Sequence, residues 1–388
     1  MVDPAEKGQS VMSIIIGADV VPTKSNEQLF ITADNELIGE DLREVLDKAD
    51  YRIFNLEVPL TENASPIKKS GPHLIAKTSA VAGYKMLGAD LMTLANNHIL
   101  DQGAAGLLST MDALTKNGIG FVGAGENVSL AKKPFLFEVK GRRYGVYACA
   151  ENEFSIATDE LAGANPYDPL YSFDDVFDLK KECDFVIVLY HGGKEYYPYP
   201  SPLLQKRCRR FIEKGADIVL CQHSHTVGCE EDYLGKKIVY GQGNFIFDDS
   251  DRQEWQTGLL VGIDDQFNID YIPVCKAGEK VRLADAEKAK QIIAEFKTRS
   301  EKIKDGGFIE SEYKKFARKM QNYYFGALSG KRTFFEKVLN KLTFGKYAEK
   351  RFAKKYDEKV FLTLKNAVVC EAHEELFVQA LKDKIYDE

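Results

Sequence analysis

Between Ser13 and Val274 the chain alternates short apolar runs with longer helical patterns, and five of the apolar runs end on a carboxylate, an amide or an imidazole. Ile14-Ile15-Ile16-Gly17-Ala18 leads to Asp19, and Ile53-Phe54-Asn55-Leu56 to Glu57. Leu91-Met92-Thr93-Leu94-Ala95 leads to Asn97 and His98, and Val186-Ile187-Val188-Leu189-Tyr190 to His191. Ala216-Asp217-Ile218-Val219-Leu220 precedes Cys221-Gln222-His223-Ser224-His225. The alternation requires a layered α/β fold. Ligands collect in such folds just outside the carboxyl ends of the strands. The chain holds six histidines, and four of them stand in this relation to a strand. Surface histidines in polar loops account for one such placement, but not readily for four.

The pattern predicts strands at Ile14–Gly17, Tyr51–Leu56, Leu91–Leu94, Gly120–Val122, Tyr144–Ala148, Phe185–Leu189, Ile218–Leu220 and Lys237–Tyr240. It also predicts a hairpin of Gly258–Ile263 with Asn268–Pro273. Helices are expected at Glu40–Lys48, Gly103–Lys116 and Pro202–Lys214, where apolar residues recur near a 3.6 period. Beyond Lys276 the pattern turns helical and polar, with helices expected over Ala284–Lys304, Ile309–Tyr324, Arg332–Tyr356 and Glu358–Ile385. The charge balance shifts at the same place. Residues 1–276 carry 27 Lys and Arg against 41 Asp and Glu, whereas residues 277–388 carry 25 against 18. Two parts are therefore expected: a sandwich domain over 1–276 and a helical extension over 277–388.

An acidic sandwich argues against a nucleic-acid partner. No apolar run approaches the roughly 20 residues of a spanning helix, and the N-terminal residues lack a basic segment joined to an apolar one. The expectation is a cytoplasmic protein, peripheral to the membrane at most. Seven cysteines, an odd number without Cys-x-x-Cys spacing, argue against a disulfide scaffold or structural zinc site and fit reduced thiols. Gly123-Ala124-Gly125 is too short to cradle a pyrophosphate.

One carboxylate (Asp19), a second placed to bridge (Glu57), an amide oxygen (Asn97) and three imidazoles (His191, His223, His225) make a mixed nitrogen and oxygen set. Such a set suits Mn, Fe or Zn better than Mg or Ca. The bland readings are a turn carboxylate for Asp19, a solvated loop residue for Glu57 and a cap for Asn96 or Asn97. Glu195 has the alternative of pairing with Arg209 or Arg210. His73, in a Gly/Pro loop, reads as a rim residue, and His373 as structural.

Six motifs carry a family resemblance, in order, over about residues 13–250. They are Asn55-Leu56-Glu57-Val58-Pro59-Leu60-Thr61, Leu94-Ala95-Asn96-Asn97-His98-Ile99-Leu100-Asp101-Gln102-Gly103, Gly123-Ala124-Gly125-Glu126-Asn127, His191-Gly192-Gly193-Lys194-Glu195-Tyr196, the His223/His225 pair, and Gly241-Gln242-Gly243-Asn244-Phe245-Ile246-Phe247. This sequence resembles the CapA family of capsule (poly-γ-glutamate) synthesis proteins, similar in turn to the calcineurin-like metallophosphoesterases. The resemblance implies a four-layer α/β/β/α metallophosphoesterase-like sandwich with a C-terminal helical appendage, and one or two divalent ions (Mn, Fe or Zn). It implies that Asp19, Glu57, Asn97, His191, His223 and His225 ligate metal, with Glu57 at the bridge. His98 then protonates a leaving group or steadies an oxyanion, and Asp101 and Glu195 are the accompanying catalytic candidates. Lys68, Lys69, Tyr196 and Asn244 are candidate contacts to an anionic substrate, with Lys194 and Arg252 as further cations. The chain departs from the superfamily at Val21, where a histidine ligand is usual, and at Glu57, where an aspartate is usual.

The implied activity is that of a metal-dependent hydrolase or transferase in capsule or anionic exopolymer production, attacking a phosphoester or an amide. Rival readings are a general phosphodiesterase or phosphomonoesterase, and a non-catalytic assembly component with a relic site. The implied partners are an anionic polymer or phosphoester, with peripheral contact to a membrane or to capsule-synthesis machinery. Residues 331–355 contain nine Lys and Arg with two acids, interleaved with Phe334, Phe335, Val338, Leu339, Leu342, Phe344, Tyr347 and Phe352. Such a segment either lies on an anionic membrane or packs on the sandwich with its lysines solvated.

Overall fold

The computed structural model describes residues 12–248, 250–328, 334–344, 346–347, 350–351 and 356–386. The first sheet begins with four parallel strands, β1 (Ile14–Val21), β2 (Tyr51–Leu56), β3 (Leu91–Thr93) and β4 (Gly120–Val122). Every residue of β1 is buried, as befits a strand covered on both faces and rich in Ile and Val. The chain then leaves this sheet. A ribbon joins β5 (Ala124–Gly125) to β8 (Gly163–Ala164). A second sheet comprises β6 (Phe135–Val139), β7 (Arg142–Ala150), β9 (Phe185–His191), β10 (Ile218–Gln222), β11 (Glu230–Tyr233) and β12 (Lys236–Tyr240). Its order is β11-β12-β10-β9-β7-β6, parallel except at its two edges.

The chain returns to the first sheet through β13 (Asn244–Phe247), β14 (Thr257–Ile263), β15 (Ile269–Ala277) and β16 (Lys280–Leu283). That sheet reads β16-β15-β14-β1-β2-β3-β4. Strand β14 pairs antiparallel with Ile14–Ile16, and β13 pairs in parallel with β1 from Asp19 to Val21.

One apolar core joins the two sheets: Ile16 and Ile53 of the first lie with Val146, Ile187, Leu189, Leu220 and Val239 of the second. Helices α1 (Glu27–Ile31), α2 (Glu40–Asp47), α3 (Val81–Met86) and α4 (Gly103–Lys116) add Phe30, Leu42, Leu46, Tyr84 and Leu107 to it. A short α5 (Val128–Ala131) lies against β5. A second core puts Val186, Val188 and Tyr190 against Leu204 and Phe211 of α7 (Pro202–Glu213) and Val176 of α6 (Ser172–Lys180). The result is the expected four-layer α/β/β/α sandwich. Side chains alternate faces along a strand, so His191 continues the inward series of Ile187 and Leu189.

The strands differ from expectation mainly at their carboxyl ends. Strand β9 runs on to His191 and β10 to Gln222, because those two residues still pair with each other. Strands β6, β11, β13 and β16 lie outside the strands expected from the sequence. For β11 the reason is its charged sequence, Glu-Glu-Asp-Tyr, at a sheet edge. A boundary at Lys276 falls inside β15, where Lys276 pairs with Val281 of β16. Helix α8 (Ala286–Lys302) also buries Ile292 and Phe296 in the main core. The first compact unit therefore ends at Ile309, and Glu310–Glu388 form a second.

Helix α9 (Phe308–Leu328) crosses that boundary in sequence and is followed by α10 (Phe334–Leu342), α11 (Glu358–Val369) and α12 (Glu371–Tyr386). Much of the helix expected over 332–356 lies outside the described residues. The one expected over Glu358–Ile385 breaks at Cys370, whose backbone is extended. Among the described residues no helix is long and apolar enough to cross a membrane. All seven cysteines are free, five of them buried.

Phe54 is fully buried, and its ring stacks on Phe245 at 5.3 Å, tying β2 to β13. Phe54→Ala is expected to cost about 3–5 kcal/mol. Urea unfolding followed by the fluorescence of Trp255, the single tryptophan, measures it.

Candidate metal centre

Both sheets send polar side chains to one place. Asp19 lies in β1 and Glu57 directly after β2, both completely buried. His191 ends β9, and His223 and His225 follow β10. Two ligands one residue apart converge only if the backbone bends sharply, and here it does: His223 has φ 91° and His225 φ 51°. Non-glycine residues rarely adopt this left-handed region, and such strain concentrates at functional sites.

The ring centroids of His191 and His223 are 4.8 Å apart, and those of His223 and His225 6.0 Å. Two donor groups result, one of Glu57, His191 and His223 and the other of Asp19, Glu57 and His225, with ligating atoms within 4.8 Å of one another in each. Glu57 belongs to both. His191 Nε2 lies 3.3 Å from Glu57 Oε1, 3.2 Å from His223 Nδ1 and 3.0 Å from Asn97 Oδ1. Atoms that bind one ion at 2.0–2.2 Å stand about 3.0–3.4 Å from each other. Both Glu57 oxygens and Asp19 Oδ2 are buried and accept no hydrogen bond. Buried carboxylate oxygens without donors are costly, and two carboxylates facing three imidazoles fit a divalent cation.

The electrostatics agree. Burial alone would raise the Asp19 carboxyl, but His225 and His191 beside it and a hydrogen bond from Asn55 hold it below its ordinary value. Burial and the neighbouring His191 and His225 push His223 well below the ordinary imidazole value, so it is neutral and ready to ligate. His225 moves the other way. Burial would lower it, yet Asp19, Glu57 and Asn244 raise it to about 9.

His98 stands beside the centre and belongs to neither donor group. Its Nδ1 lies 2.7 Å from Asp101 Oδ2, and Asp101, fully buried, also accepts from the Leu74 amide. The expected role of Asp101 as a catalytic group thus becomes that of an anchor for His98. Lys69 was an expected substrate contact, but its side chain is 2% exposed and ion-paired with Asp101. Lys68 is exposed in the same loop. Glu195 is half-exposed, 3.8 Å from Lys194, and outside both donor groups. Arg209 and Arg210, its alternative partners, pair instead with Glu231 and Glu213. Tyr196 does approach the centre, its ring 6.1 Å from that of His225 and 4.4 Å beneath the Arg252 guanidinium.

Three supporting side chains escaped the sequence reading. Asn55 donates to Asp19 Oδ1 at 2.7 Å and lies 3.4 Å from His191 Nδ1. Asn96 donates to Asn55 Oδ1 at 3.1 Å and to the Leu56 carbonyl at 2.8 Å. Trp255 places its ring 4.6 Å from that of His225. A lone polar residue inside an apolar strand was the available signal for Asn55. Nothing marked Trp255, which is distant in sequence.

In metal-free protein His225 keeps its proton up to pH 9. Uptake of the ion it ligates at about pH 7.5 should therefore release about one proton, with none from His223. Calorimetry in buffers of different ionisation enthalpy measures the release, which should fade above pH 9. Without the ion, a folded-state value above the unfolded one stabilises the protein below the ordinary imidazole range, and that contribution is lost as pH rises through 9.

The family "Bacterial capsule synthesis protein PGA_cap" matches residues 13–249. The "Capsule biosynthesis protein CapA" of Bacillus anthracis is 32% identical over 257 residues, 59% of this chain and 62% of its own length. The "PGA biosynthesis protein CapA" of Bacillus subtilis (strain 168) is 27% identical over 309 residues, 76% of this chain and 81% of that one. The chain thus spans less than two thirds of the Bacillus anthracis relative. A solved structure described as a novel phosphatase, from Mycoplasma pneumoniae, is similar over 72% of this chain and 96% of that one, at 15% identity and a TM-score of 0.42. The family match covers more than half of the sequence and contains every donor of both groups, and the chain belongs to the bacterial capsule synthesis protein family PGA_cap.

Proposed function

We propose that this chain is a metal-dependent hydrolase or transferase acting on a phosphoester or amide bond in the production of an anionic exopolymer. The observation that carries the reading is Glu57, buried without a hydrogen bond and shared by both donor groups. A divalent ion held there supplies Lewis-acid polarisation of a phosphoryl or acyl oxygen. The relatives' names, which mention capsule and PGA biosynthesis, support the pathway.

The chain's own side chains divide the remaining work. Asp101 accepts from Nδ1 of His98, which leaves the other ring nitrogen to exchange a proton with a leaving oxygen or nitrogen. Asn55 fixes Asp19, and Asn97 Oδ1, 3.0 Å from His191 Nε2, stands as a further oxygen donor beside that imidazole. Arg252, over the Tyr196 ring, supplies positive charge beside His225 for an anionic substrate. A relic site would be expected to lose its costly buried carboxylates first, and both are present. An ordinary phosphoesterase without a polymer substrate is the remaining alternative.

The test compares Mn²⁺-loaded and chelator-treated protein on chromogenic phosphoesters and on poly-γ-glutamate. The expected result is chelator-sensitive turnover of the polymer, with His98→Ala lowering it on the order of a hundredfold or more at unchanged metal content. Turnover of the small esters alone would favour the ordinary phosphoesterase, and no turnover of either would sink the enzyme reading.

We further propose that the second unit meets an anionic membrane surface peripherally, on the cytoplasmic side. Helix α10 exposes Phe334 (80%), Phe335 (79%) and Leu342 (70%) beside Lys337 and Lys341. Co-sedimentation with anionic liposomes should be strong at low salt and lost at high salt. Equal binding to neutral liposomes, or none, rejects the contact.

A further inference from the structure

The two donor groups are unequal. The Glu57–His191–His223 group has Asn97 Oδ1 at 3.0 Å from His191 Nε2 as a fourth donor. The Asp19–Glu57–His225 group has three side chains, and position 21, two residues beyond Asp19, is a fully buried valine. A different strand fills the gap. Strand β13 pairs with β1 so that Asn244 stands directly beside Asp19, and the register slips between Asp19 and Val20. The pairing puts both side chains against the same His225 ring nitrogen.

Two glycines hold Asn244 there. Gly243 precedes it with φ 73°, a conformation that side chains resist. Gly258 faces it across the strands, where a Cβ would lie 2.1 Å from the Asn244 carbonyl oxygen. Asn244 is 5% exposed. Its Oδ1 lies 2.8 Å from His225 Nδ1, and that same nitrogen is 3.5 Å from Asp19 Oδ2. Its Nδ2 has no hydrogen-bond partner.

We propose that Asn244 Oδ1 is the fourth ligand of the Asp19–Glu57–His225 ion, rather than a substrate contact. The inference rests on the metal-centre reading above. His225 Nδ1 faces both Asp19 and Asn244, so it is the nitrogen placed to bind the ion. A nitrogen bound to the ion carries no proton to donate, and Oδ1 then loses its donor. The ion replaces that donor, since carboxamide oxygen is a competent ligand for Mn, Fe or Zn. The 2.8 Å separation is close to that of two adjacent ligands on one ion. The unpartnered Nδ2 is then left as a donor beside the ion.

The experiment measures metal content of the full chain after saturation with Mn²⁺ and dialysis, together with the cobalt(II) absorption spectrum at saturating Co²⁺. Wild type should hold two ions, and Asn244→Ala one, with near-ultraviolet circular dichroism unchanged. Saturating Co²⁺ should refill the variant, with an altered visible band because an oxygen donor is gone. Asn244→Asp, nearly isosteric, keeps the fold if alanine does not. It should hold two ions and release one of them to chelator about tenfold more slowly than wild type.

Two ions in Asn244→Ala with an unchanged cobalt band overturn the proposal. One ion with an unchanged band at saturation makes Asn244 a positioning residue for His225 and also overturns it. A single ion in wild type refutes the Asp19-side ion while leaving a one-ion centre standing. No ion in wild type removes the metal-centre reading itself.

Discussion

Glu57 is the constraint around which the site is arranged. A carboxylate sealed from water, with neither oxygen accepting a hydrogen bond, is tolerable only beside positive charge. The imidazoles near it supply such charge. His191 lies at 3.3 Å, and His225, raised to about 9, carries a proton until an ion takes its place. The buried amides nearby, Asn55 and Asn96, donate to Asp19, to each other and to the Leu56 carbonyl, and none donates to Glu57. Two fully buried carboxylates, Asp19 and Glu57, at adjacent strand ends make the same demand twice.

The fold meets this demand by geometry rather than by a special loop. Parallel strands β1 and β2 end side by side, and so do β9 and β10. The two sheets face each other across one core, so four carboxyl ends open onto one volume. The left-handed turn at His223 and His225 bends both imidazoles into that volume, and Gly243 and Gly258, beside Asn244, let a fifth segment approach.

Much of this was legible because the candidate donors sit where apolar runs stop. Asp19, Glu57, Asn97, His191, His223 and His225 each follow a short apolar run that reads as a strand, and period-2 alternation fixes which way the first polar residue points. Outer partners were less legible. Lys69 reads as a surface cation, and only the fold of the 65–74 loop over Asp101 buries it. Asn244 sits in a recognisable motif, but its neighbour Asp19 is over two hundred residues away, and β-pairing at that distance leaves no local trace. The boundary at Lys276 failed for a similar reason. A change in charge pattern marks where helices begin to dominate, whereas β16 and α8 continue the same core.

The amide pair Gln222 and Gln242 shows how closely the halves are matched. Gln222, at the end of β10, donates to the Gly17 carbonyl of β1 and to Gln242, which donates to the Ile16 and Leu259 carbonyls. The carboxylates belong to one sheet and the imidazoles to the other, so neither layer alone can grip an ion. A cation bound there would be a rivet between layers and would stabilise the folded chain by mass action. Slippage of one sheet over the other, even by a fraction of a bond length, would register first as weakened metal retention. With an ion in place, a chelation curve would gauge how well the two sheets are aligned.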